Sequence, residues 1–131
     1  HVIRALLEGI SLEIRWMLDA INMSGAAIDE VRLVGGGSKN RYWNQIHADI
    51  LGRPVVTLDV IASALVGAAM CAAVAAGFYK DFYEASNNFV RIKETIEPNP
   101  ANVPVYERAF ENYRNAFTLL SESGIFADLR G

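Results

Sequence analysis

Apolar positions along this chain change period several times, and each change marks an element. Ile3, Leu6, Leu7, Ile10, Ile14, Met17, Leu18 and Ile21 recur at helical spacing, which predicts one long amphipathic helix over 2–23. Ser24-Gly25 stops it, with Gly25 placed for a left-handed cap. Val31, Leu33 and Val34 then make a short apolar run suited to a strand over 31–34. The helical period returns from Lys39 to Leu51, with Trp43, Ile46 and Ile50 on one face. Gly52 ends that helix, and Arg53-Pro54 lead into a second strand, Val55 to Leu58. The result is a strand–helix–strand unit, a right-handed crossover if the strands pair in parallel.

The second half is more helical. Residues 61–77 read as a helix of small residues, Ala62, Ala64, Gly67, Ala68 and Ala72 among them, which lets another backbone approach closely. Two readings stand: tight packing inside one domain, or a hinge helix between two. Residues 78–89 predict a short helix bearing Phe78, Tyr79, Phe82 and Tyr83, and Val90 to Ile96 alternates as an extended segment would. Glu97-Pro98-Asn99-Pro100 breaks the chain. A last helix over 103–121 carries Tyr106, Phe110, Tyr113, Phe117 and Leu120 in one stripe, read as core contact. Only two strands stand out, which is a poor sheet on its own. Partner strands are therefore expected in a longer parent chain or another subunit. The opening at His1, inside a helical pattern and without Met, also predicts a segment of a longer chain.

Composition narrows the class. The chain has 131 residues, 52% of them apolar, enough for one domain with a sizeable core. The net charge of −3 is spread without a basic stripe, which argues against a nucleic-acid partner. Cys71 is the sole cysteine, so no internal disulfide forms. It is read as a small buried hydrophobe in a reducing, cytoplasmic protein. The apolar stretch Ala62 to Phe78 is interrupted at Gly67 and Gly77 and is read as a buried helix of a soluble protein, not a membrane span. No signal-peptide pattern is visible. Neither histidine has partners at metal-ligand spacing, so no metal site is assigned.

The chemistry gathers at Gly35-Gly36-Gly37-Ser38-Lys39-Asn40, between the first strand and its helix. Three glycines remove every Cβ from the turn, so a ligand can approach the backbone and φ can turn positive. Ser38 or Asn40 can cap the following helix, whose first N–H groups point outward. The turn lacks the G-x-x-x-x-G-K-[ST] spacing of a P-loop. The dinucleotide fingerprint would need glycine where Asn40 stands, although Asp59 near the end of the second strand keeps that reading open.

A longer pattern is more specific. Gly35 to Asn40, then Trp43, Gln45, Ala48-Asp49-Ile50-Leu51-Gly52-Arg53-Pro54-Val55, then Ala64 with Gly67-Ala68-Ala69, resembles the C-terminal domain of FGGY-family carbohydrate kinases, and within them the xylulose kinases. Ala5-x-Leu7-Glu8-Gly9-Ile10 resembles the helix that precedes the turn in that family, so the resemblance runs over essentially the whole chain. It implies an α/β fold: part of the second actin-like (ribonuclease H-like) ATPase domain, helix-rich, with an incomplete sheet. All of 1–131 would be one segment of a two-domain sugar kinase using ATP and Mg²⁺. Gly35, Gly36, Gly37, Ser38 and Asn40 would bind the adenosine of ATP or ADP, with Gly36 and Gly37 along adenine and ribose and Asn40 near the base. The Ala/Gly helix would be the interdomain connector. No catalytic residue is carried over: base, phosphate loop and sugar site would belong to the N-terminal domain, and most of the Mg²⁺ coordination with them. Asp49, Asp59 and His47 are read as structural or solvated. Ile61-Ala62-Ser63 stand where many relatives have an acid, so that role is not carried over either. Self-association as a homodimer is left open. Two other classes remain: a stand-alone nucleotide-binding or regulatory module, and a fragment of a dinucleotide-binding oxidoreductase.

Overall fold

The structure, a computed structural model, describes residues 1–59 and 62–128. Helix α1 spans Val2–Met23, strand β1 Val31–Leu33, and a 3₁₀ turn Gly36–Lys39. Helix α2 (Arg41–Leu51), strand β2 (Val55–Leu58), helices α3 (Ser63–Ala75) and α4 (Phe82–Phe89) and strand β3 (Ile92–Ile96) follow. Helix α5 (Val103–Glu122) and the single turn α6 (Ile125–Asp128) end the described chain.

The sheet has the order β1-β2-β3. β1 and β2 run parallel with Val31 opposite Val55, which meets the condition for reading the strand–helix–strand unit as a crossover. β3 is antiparallel to β2, with Ile96 opposite Val55 and Thr95 opposite Val56. The alternating segment 90–96 thus holds a strand over Ile92–Ile96, with Val90 closing α4 instead, and the mixed sheet leaves β1 and β3 as edges among the described residues.

α2 is the hub, because it buries two faces. Ile46 and Ile50 pack with Leu12 of α1 and Tyr106 and Phe110 of α5. Ala48 and Leu51 face the sheet, against Val55 and Ile96, with Ile14 and Leu18 of α1 alongside. Gly52 closes α2 at φ 61°, ψ 24°, a left-handed cap that glycine adopts without strain. Gly25 does the same after α1 at φ 89°. Arg15 ties the three helices. Its guanidinium donates to the Ile50 carbonyl at 3.0 Å and to Glu107 at 2.7 Å, and lies 4.4 Å from the Phe110 ring centre. The carbonyl it meets is one of those left without a helical partner at the end of α2.

Five expectations change. The helix read from Lys39 begins at Arg41, because Gly36–Lys39 form a separate 3₁₀ turn. The helix read over 78–89 begins at Phe82, because Asp81 caps it by accepting from the Glu84 N–H at 2.9 Å. α3 has no buried residue, and its contacts within the chain are chiefly with α4, so the buried helix expected there is a surface helix here. Cys71, which lies on it, is exposed rather than buried. The C-terminal stripe is core only in its first half: Tyr106 and Phe110 are buried, while Phe117 and Leu120 are exposed. Ile61, part of the departure from the family pattern, lies outside the described residues. No helix among the described residues is long and apolar enough to cross a membrane.

Candidate functional site

The three glycines of the turn sit in three different environments. Gly35 sits at φ 82°, ψ −167°, a conformation that a side chain would strain. Gly36 is exposed, and a Cβ there would meet nothing within 4 Å. At Gly37 a Cβ would stand 2.9 Å from Cζ3 of Trp43, so the indole occupies the side-chain space. The bare wall expected of all three residues is therefore open at Gly36, whereas the side-chain side of Gly37 is closed by an aromatic ring.

Hydrogen bonds hold the turn. The Ser38 hydroxyl donates to the Gly35 carbonyl at 2.8 Å, and the Asn40 N–H donates to the Gly37 carbonyl at 3.0 Å. Asn40 Oδ1 accepts from the N–H groups of Tyr42 and Trp43 at 3.1 and 3.2 Å, which makes Asn40, not Ser38, the cap of α2. Its Oδ1 is thus committed to α2, while its amide Nδ2 has no partner among the described residues. Asn44, buried in the first turns of α2, donates from Nδ2 to the Ser38 carbonyl at 2.8 Å. Sequence reasoning missed this anchor. No local signal marked it, because Asn44 is one of several polar residues on α2, with Arg41, Gln45, His47 and Asp49.

Beneath the turn, Trp43 is fixed on two sides. Its Nε1 donates to the Ser11 hydroxyl at 3.3 Å, and that hydroxyl, fully buried, donates in turn to the Leu7 carbonyl at 2.8 Å. The His47 ring stacks on the indole at 5.2 Å between centres. His47 is buried and its Nδ1 has no hydrogen-bond partner. Burial therefore pushes its pKa below the ordinary histidine value and favours the neutral ring.

Two clefts flank the turn. A small one of ≈ 60 Å³ opens at the carboxyl ends of β1 and β2, where α/β sheets place ligands, and Gly35, Ser38, Lys39, Thr57, Asp59 and Lys93 line it. Neither lysine makes an ion pair with a described residue. The other cleft, ≈ 300 Å³ and mainly apolar, lies between α1, β1 and α2 and reaches Ile10, Ile14, Val34, Gly37 and Trp43. Asp49 belongs to neither. Its Oδ1 accepts from the Asn99 N–H at 2.7 Å and from Gln45 Nε2 at 2.8 Å, and its Oδ2 accepts from Asn102 Nδ2 at 2.7 Å. It clamps the proline-rich turn to α2, a structural role. Asp59 follows β2 beside the polar cleft, and its N–H donates to the Arg91 carbonyl at 2.9 Å. No cluster of three His, Cys, Asp or Glu fit to hold a metal occurs among the described residues.

Known proteins resemble this chain in sequence and fold. The family model described as the C-terminal domain of the FGGY family of carbohydrate kinases matches residues 1–76, which take in α1, the glycine turn, α2, β2 and α3. A xylulose kinase of Bacillus subtilis is 32% identical over 118 residues, 90% of this chain and 24% of that protein. A glycerol kinase of Rhodopirellula baltica is 40% identical over 120 residues, 91% of this chain and 22% of that protein. Among solved structures, a xylulose kinase from Rhodospirillum rubrum superposes with a TM-score of 0.80 at 33% identity, covering 93% of this chain and 25% of that one. A gluconate kinase from Lactobacillus acidophilus gives 0.79 at 28% identity, over 94% of this chain and 25% of its own. The chain spans about a quarter of the length of these relatives. Its helix-rich architecture with a partial three-stranded sheet is that of their actin-like ATPase fold. With the glycine turn, the Trp43 helix and the Pro54-Val55 strand in family order, and the family model matched over more than half its residues, this chain belongs to the FGGY family of carbohydrate kinases, in the C-terminal domain.

Proposed function

We propose that this chain supplies the adenosine-binding half of the ATP site in a cytoplasmic kinase that moves the γ-phosphoryl group of ATP to a sugar hydroxyl. The observation that carries the reading is the turn Gly35–Asn40, set at the carboxyl ends of two parallel strands with Gly36 exposed and unobstructed. A flat purine needs a wall without side chains, and Gly36 provides one. The Asn40 Nδ2 amide, freed because Oδ1 does the capping, is a donor suited to a ring nitrogen of the base. Lys39 and Lys93 add positive charge at the polar cleft, on the side where phosphates would leave the nucleoside. No residue here is assigned to Mg²⁺, which would neutralise charge on the transferring phosphoryl when bound. That ion, the catalytic base and the sugar belong to the rest of the kinase, and the segment 1–131 alone would not consume ATP in the presence of sugar. Xylulose or a related pentulose or polyol is the substrate class, since relatives named xylulose kinase, ribulokinase and glycerol kinase all align across most of the chain.

The test is calorimetric titration of the full-length kinase with ATP, comparing Gly36→Leu with the parent. ATP affinity is expected to fall roughly tenfold or more while the unfolding midpoint holds, because the side chain would stand in the nucleoside's place. Unchanged ATP affinity in a folded variant overturns the site. Binding of NAD without binding of ATP would instead favour the dinucleotide reading.

A further inference from the structure

We infer that Trp43 is the positioning residue of the nucleotide site, acting through Gly37 on the shape of the turn; the inference rests on the adenosine reading above. Three carbons of the indole's six-membered ring lie within 3.7 Å of where a Gly37 Cβ would stand, so the turn rests on the ring itself. Trp43 is in turn held at ring and backbone. Nε1 is bonded to the buried hydroxyl of Ser11, His47 stacks on it, and its own backbone N–H is tied to Asn40, the residue at the end of the turn. Trp43 thereby links α1, α2 and the turn, touching the turn's middle through Gly37 and its end through Asn40. It lies under the turn and is not proposed to touch the nucleotide. A turn whose backbone must meet a planar base needs its height fixed to a fraction of an ångström, and a displacement of about 1 Å can cost about a hundredfold in rate. A wide ring under a glycine fixes that height more firmly than a flexible side chain would, because an indole has only two side-chain torsions.

The experiment uses the full-length kinase with Trp43→Leu, Trp43→Phe and the Gly36→Leu variant described above. Trp43→Leu should raise Kd and KM for ATP roughly tenfold while KM for the sugar stays within about twofold, since a general loss of structure would move both. Trp43→Phe, which keeps a six-membered ring under Gly37 but loses the bond to Ser11, should recover ATP affinity to within about threefold. In protein labelled with 5-fluorotryptophan, the ¹⁹F resonance that disappears in Trp43→Phe should shift on saturation with ATP. Should Trp43→Leu not fold, the phenylalanine variant and the ¹⁹F shift decide the matter. Unchanged ATP affinity in folded Trp43→Leu overturns the role of Trp43 alone, provided Gly36→Leu still weakens ATP. So do an equal rise of both KM values and a ¹⁹F resonance that ATP does not move. If neither variant changes ATP affinity, the adenosine reading itself fails.

Discussion

At the scale of residues, the glycine turn separates into positions with distinct tolerances. Gly36→Ala meets open space at a φ that is not positive, so its unfolding free energy should stay within about 0.5 kcal/mol of the parent. Gly37→Ala drives a methyl against an indole that Ser11 and His47 hold in place, and overpacking of this kind costs about 1–3 kcal/mol. Urea unfolding of the two variants checks the order, and equal midpoints would refute it. Asn40→Ala removes a helix cap and should cost about 1 kcal/mol in the same assay. His47 gives a pH dependence. The unfolded chain binds its proton near pH 6.5, while burial holds the folded pKa lower. Below about pH 6.5 the unfolded state therefore carries more protons, and stability falls as pH drops toward the folded pKa. His47→Phe keeps a ring on Trp43 and removes that proton site, so it should lose less stability than the parent between pH 7.5 and 5.5. The same loss in both would exclude His47 as the source. That these residues mattered was legible only in part. The motif pointed to Gly35–Asn40, but nothing local in the sequence says that Gly37 is glycine because of Trp43, six residues on in a different element.

At the scale of elements, α2 does more than connect two strands. One face meets α1 and α5, another meets the sheet, and its buried carboxylate, Asp49, receives three hydrogen bonds from Asn99, Gln45 and Asn102. Asp49→Ala should cost about 3 kcal/mol, because it leaves the Asn99 N–H and the Asn102 amide without their acceptor, and hydrogen bonds to charged groups are worth about 1.5–3 kcal/mol each without adding fully. Chemical denaturation measures this, and a cost under about 1 kcal/mol would mean that water replaces the carboxylate. The helix was predictable from Trp43, Ile46, Ile50 and the terminal Gly52, because period and caps are local. The clamp was not, since Asp49 and Asn99 are fifty positions apart. β3 lies between these cases: its alternation was visible, but its antiparallel seat beside β2 depends on a long excursion through α3 and α4.

At the scale of the whole molecule, the two apolar clusters meet in α2, and Ile50 is fully buried between helices. Ile50→Ala should therefore cost about 2–5 kcal/mol, read from the thermal or urea midpoint, whereas a similar truncation at exposed Leu65 on α3 should change little. Much apolar surface remains uncovered: Ile3, Leu6 and Met17 of α1 are exposed, as are Phe117 and Leu119 of α5. Helical period marked these positions as apolar faces and could not tell which side of a helix finds a partner. The amino-acid sequence by itself determined the order and type of most elements, the glycine turn and the family, because spacing, caps and motifs are properties of neighbouring residues. Only the tertiary structure decided that Cys71 and α3 lie at the surface, that Asp49 is a clamp and that Trp43 carries Gly37. Burial and contact arise between segments far apart in the chain, and no local pattern encodes which of two apolar faces will be covered.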